Sequence, residues 1–162
     1  MAFISIMAGA SLLMAGPAGH FTTEQAADCA AIQAITLDAM RAASNVPAPI
    51  RLKVRNGLAM WEYELSASAE GAPPEKLQKA ADLAIAKVHE EMPQGQGADA
   101  AAARGEYLTS RSAACATLIA EAYGEQEHPV MPYLREADAK AGLPAVTPVS
   151  ASAADDKSRG LR

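Results

Sequence analysis

The sequence predicts an all-α fold, a small up-and-down bundle of four to five helices, and three observations carry that expectation. The 162 residues include 39 alanines, and alanine is the strongest helix former and poor strand material. Half of the residues are hydrophobic but only 4% are aromatic, so the core must be assembled from small side chains at close helix spacing. Apolar positions also recur at intervals of three and four through most of the chain. The length allows one domain with a core of its own.

Taken in order, residues 1–18 read as a signal peptide. Residues 3–14 are an uninterrupted apolar run apart from small residues and Ser5 and Ser11, and "GPAG" offers a cut after Ala18. No Lys or Arg precedes the run, which departs from the usual charged start. The stretch is short for a membrane span, so the mature chain is expected to have no stable one.

The first helix should open at Thr22, which forms a capping box with Gln25, and continue to about Arg41–Ala43. Cys29, Ile32, Thr36 and Met40 share one of its faces. "SNVPAP" then stops it.

Residues 50–65 fit two templates. As a helix they carry an apolar stripe of Ile50, Val54, Leu58, Trp61 and Leu65. As a hairpin they turn at Asn56-Gly57, with Ile50, Leu52, Val54, Ala59, Trp61 and Tyr63 on one side. A lone hairpin is marginal and no third strand is evident, so helix is preferred.

Pro74 opens a third helix whose buried side is Leu77, Ala81, Ala84, Val88 and Met92, and Pro93 ends it. A fourth helix covers about Asp99–Tyr123, with Leu108, Cys115, Leu118, Ile119 and Ala122 inward. A short fifth spans about Met131–Ala141. Residues 19–143 thus form the helical domain, and 144–162, rich in Pro, Ser and Ala without period, read as a disordered tail.

Export decides how the two cysteines are read. An even count in an oxidising compartment implies a disulfide, and two cysteines permit one connectivity, Cys29–Cys115. Both fall on inward positions of helices that a bundle would make neighbours.

Charge and motifs narrow the function classes. The net charge is −5, and the densest basic cluster is Arg51, Lys53 and Arg55, read as a solvated face. A nucleic-acid partner is therefore not expected. The chain has no GxSxG, HExxH, P-loop or GxGxxG motif, and no cofactor is expected. The acid pairs Glu62/Glu64 and Glu90/Glu91 are expected to face water.

Two segments repeat the order His-x-x-Met-Pro, with His89 and Met92 in one and His128 and Met131 in the other. Imidazole and thioether suit a soft ion such as Cu(I), making these four residues metal candidates. Trp61 and Tyr63 are the close aromatic pair and the binding candidates. Trp61 falls on the core stripe, so Tyr63 is the better candidate for exposure.

A signal-like start with two widely spaced cysteines resembles small exported helical proteins of Gram-negative bacteria, a resemblance that brings no site with it. The sequence therefore points to a periplasmic or secreted bundle that acts without catalysis, by binding another macromolecule such as an envelope protein or as an envelope accessory factor. The alternative is a carrier of a small ligand or soft metal ion.

Overall fold

The computed structural model describes residues 19–43 and 45–143, so the signal-like segment 1–18 and the tail 144–162 lie outside it. Among the described residues there are five helices: α1 (Thr23–Ala42), α2 (Ala48–Ser68), α3 (Pro74–Glu91), α4 (Ala98–Tyr123) and α5 (Met131–Lys140). The all-α bundle is thus observed.

The ends follow from local chemistry. Thr22 caps α1 by accepting from the Gln25 backbone N–H, while Gln25 Oε1 accepts from the Thr22 backbone N–H. Prolines sit in the first turns of α2, α3 and α5, where their missing N–H costs nothing. Gly124 adopts φ 57 after α4, a left-handed conformation that glycine accepts without strain. Thr22→Ala should cost about 1 kcal/mol, read as a lowered urea midpoint with unchanged slope.

Helix α1 is the hub, because α2, α3 and α4 all pack on it. Ala26, Ala27, Ala30 and Ala31 are buried together with Cys29, Ile32, Thr36 and Leu37, so its burial extends well beyond one stripe. Small side chains on several sides are what allow three helices to approach one.

Residues 50–65 are helical within α2. The Asn56-Gly57 pair that resembles a hairpin turn has a different use. A Cβ on Gly57 would lie 3.2 Å from the Gln33 side chain, so the glycine marks close contact between α2 and α1. The α2 stripe also shifts. Ile50 is 47% exposed, whereas Leu52 and Asn56 are buried beside the expected Trp61 and Leu65. In the first turns of α2 it is Ala48, Arg51 and Leu52 that meet Leu37 and Arg41 of α1, which leaves Ile50 outside that contact.

Trp61 is 1% exposed and anchors the core, with Phe21 against its ring at 4.7 Å between centroids. In α3, Ala81, Ala84 and Val88 are buried, with Leu77 and Met92 packed against the core at its two ends. Lys87 ties α3 to α1 through Asp28 at 2.7 Å.

Cys29 and Cys115 join α1 to α4, with their sulfurs 2.01 Å apart and their Cα atoms at 5.7 Å. Thr36 and Ser112 meet at 3.4 Å between the same helices. No described helix is long and apolar enough to cross a membrane.

Helix α5 is built differently. Its buried residue is the charged Asp138, which accepts from Arg55 of α2 at 2.7 Å. Arg55, read as solvated from its basic neighbours, is therefore half-buried and paired, while Arg51 and Lys53 are exposed.

Candidate functional site

The ionisable cluster sits where α2, the end of α4 and the loop before α5 meet. Glu64 was expected to face water, and the structure overturns that: it is 1% exposed. Glu62 and Glu64 lie two residues apart, so a helical turn of 3.6 separates their directions by far more than a shared face allows. Glu64 follows Trp61 by one turn and points inward with it. Glu62 is half-buried, and that burial raises its pKa.

Glu64 Oε1 accepts from the Tyr123 hydroxyl at 2.5 Å and contacts His128 Nε2 at 3.1 Å. The Val130 backbone N–H donates to His128 Nδ1 at 3.3 Å, so the ring proton belongs on Nε2 and is donated to Glu64. Glu64 Oε2 is buried without a hydrogen-bond partner among the described residues. Rings close the cluster: Tyr63 lies edge-on to His128 at 5.3 Å, Tyr123 is 4.6 Å from His128, and His20 is 4.8 Å from Tyr123.

This environment favours neutral forms of its donors. Desolvation pushes the Tyr123 hydroxyl pKa well above its usual range, and the hydrogen bond to Glu64 acts in the same direction. Burial lowers the His128 pKa, helped by nearby His20 and opposed by Glu64.

A pH dependence follows. The unfolded imidazole titrates near about 6.5, while the folded one binds its proton less readily. His128 therefore contributes its full stability above about pH 6.5, and the contribution falls as the pH drops towards the folded pKa. Urea midpoints at about pH 8 and about pH 5.5 should show a larger acid loss for the wild type than for His128→Asn. An equal loss in both proteins would assign the acid sensitivity to other groups.

The sequence candidates are dispersed. His128 is 4% exposed with both ring nitrogens engaged, and Met131 opens α5. His89 is exposed near the end of α3, and Met92 packs partly into the core. No group of three His, Cys, Asp or Glu side chains that could hold a metal ion occurs among the described residues. Trp61 is interior, and Tyr63 is half-buried against His128.

Sequence reading missed a second feature, an open cleft of about 380 Å³ where the end of α1, the start of α2 and Leu143 meet. Leu37 and Leu52, both buried, form its apolar floor, and Arg41, Arg51 and Arg55 line it. The signal in the sequence was the spacing of Arg51 and Arg55, one helical turn apart. The third arginine comes from another helix and required the fold.

Between cluster and cleft, residues 128–143 run antiparallel to α2. His128 meets Glu64, Asp138 meets Arg55, and Leu143 reaches the cleft beside Arg51. The segment is a strap held largely by polar contacts.

The class that fold and site define is an alanine-packed helical bundle with a cysteine pair at bonding distance, an internal Glu–His–Tyr cluster and an arginine-lined cleft. Compared with protein-family models, curated proteins and solved structures, the chain matches none, so its function is read from its own geometry.

Proposed function

We propose that this protein is a small exported binding protein of the cell envelope, acting without catalysis through its arginine-lined cleft. The observation that carries the reading is the convergence of Arg41, Arg51 and Arg55 on one open cleft, in a chain of net charge −5. Asp38 and Asp138 offset Arg41 and Arg55, so it is the charge of Arg51, unpaired among the described residues, that favours an anionic partner.

The groups best suited to proton transfer serve the interior. His128 and Tyr123 both bond Glu64, and burial favours their neutral forms. Export is supported by the apolar segment 3–14 and by two cysteines at bonding distance, a pairing that persists in oxidising compartments.

Native mass spectrometry of the full chain purified from an envelope fraction tests the proposal. The expected result is a co-purifying species held by the wild type and lost from Arg51→Glu, on protein whose thiols resist alkylation until reduced. A species held equally by both proteins would overturn the cleft as the binding site. Freely alkylated thiols would overturn the compartment.

A further inference from the structure

We infer that the cleft is a binding site for a carboxylate carried on a short apolar chain, an assignment that rests on the binding reading above and names its ligand class. Its two surfaces ask for two kinds of group. Buried Leu37 and Leu52 offer an apolar floor, and Leu143, 39% exposed, supplies an apolar rim. An alkyl segment laid against Leu143, with Leu37 and Leu52 behind it, removes apolar surface from water chiefly at the rim.

The cationic wall selects the head. Arg51 is exposed and has no ion-pair partner among the described residues, so its charge is available. Arg55 is already oriented, held at 2.7 Å by the buried Asp138, while Arg41 meets Asp38 at 2.9 Å in an exposed pair. Asn56 Oδ1 also accepts from Arg55 Nε and Nη2. Each guanidinium has five N–H donors in a planar fork, so these contacts leave donors for a second acceptor. Orienting Arg55 in advance lowers the entropy lost on binding.

The first turn of α2 borders the same cleft through Ala48. Pro47 gives α2 no side-chain cap, and Pro49 has no N–H. The Ile50 and Arg51 N–H groups both donate to Pro47 O, and Ala48, the first residue of the helix, lines the cleft. A planar carboxylate matches the arginine wall, accepting from a guanidinium fork. At about 380 Å³ the cleft is near the lower end of ligand pockets, which limits the apolar portion to a short chain.

Isothermal titration of the full chain with octanoate tests the assignment, with acetate, octanol and phosphatidylglycerol vesicles as comparison probes. Octanoate should bind, with acetate and octanol about tenfold or more weaker, since each lacks one half of the match. Arg51→Gln should weaken octanoate by about tenfold or more, and because Arg51 is exposed the thermal melt should stay unchanged. Lys76→Gln, an exposed change on α3, should leave binding intact.

Octanol binding as well as octanoate, or octanoate binding that ignores Arg51→Gln, would overturn the assignment. Binding to vesicles without binding to octanoate would overturn it in favour of a bilayer surface. If octanoate fails while the co-purifying species still depends on Arg51, the ligand class falls and the binding reading stands. If both fail, both fall.

Discussion

Urea unfolding of the Cys29→Ala/Cys115→Ala double variant is expected to show a chain about 4–5 kcal/mol less stable than the oxidised wild type. The basis is loop closure. The two cysteines are separated by 86 positions, and a crosslink over that distance removes many conformations from the unfolded chain. Small domains are stable by about 5–15 kcal/mol, so the loss would take much of the total. Both residues are 5% exposed, which adds the cost of two shortened side chains in the α1–α4 contact.

The wild type treated with reductant should approach the variant's midpoint, because both lose the same constraint. Equal stability of oxidised and reduced wild type would remove the crosslink from the account of this fold. Alanine packing makes the staple effective, since the core contains few large side chains. Among the described residues, Trp61, Ile32 and Val88 are the large apolar ones fully enclosed.

The second large effect is expected at Glu64. Replacing it with alanine should cost about 3 kcal/mol or more, because the Tyr123 hydroxyl and His128 Nε2–H lose their shared buried acceptor. Glu64→Gln should cost much less, since an amide oxygen can accept from both donors. That ordering separates loss of an acceptor from loss of a charge.

Location is a sharper readout than magnitude. His128 fastens one end of the strap to α2, and α5 itself contributes Asp138 as its buried residue. Hydrogen exchange in Glu64→Ala should therefore rise first across residues 128–143, with the α1 amides remaining protected. Uniform exchange across α1 and the strap would show that the cluster supports the whole bundle equally.

The helices were legible because their signals are local. Thr22 and Gln25 announce the first cap, the prolines of "SNVPAP" separate α1 from α2, and Pro74 and Pro93 bracket α3. The α3 stripe was legible for a related reason. That helix lies on one side of α1, so a single face is buried and a period of 3.6 describes it.

Other residues escaped that reasoning. Ile50 obeys the α2 period and is exposed, because Leu52 and Asn56, off that stripe, are the residues buried near the start of α2. Asn56-Gly57 carries turn chemistry, yet Gly57 is used for the close approach of Gln33. Glu64 reads as half of an exposed acid pair, yet its donors come from residues 59 and 64 positions away. No local pattern encodes a partner at that distance.

By itself the sequence determined an all-α chain, where its helices begin and end, and that Cys29 and Cys115 occupy inward positions. Tertiary structure alone decided that α1 lies at the centre, that Glu64 collects Tyr123 and His128, and that arginines from two helices share a cleft. The reason is physical. Capping and propensity act over a few bonds, whereas the placement of a buried carboxylate or a shared cationic wall depends on which surfaces meet when the helices pack.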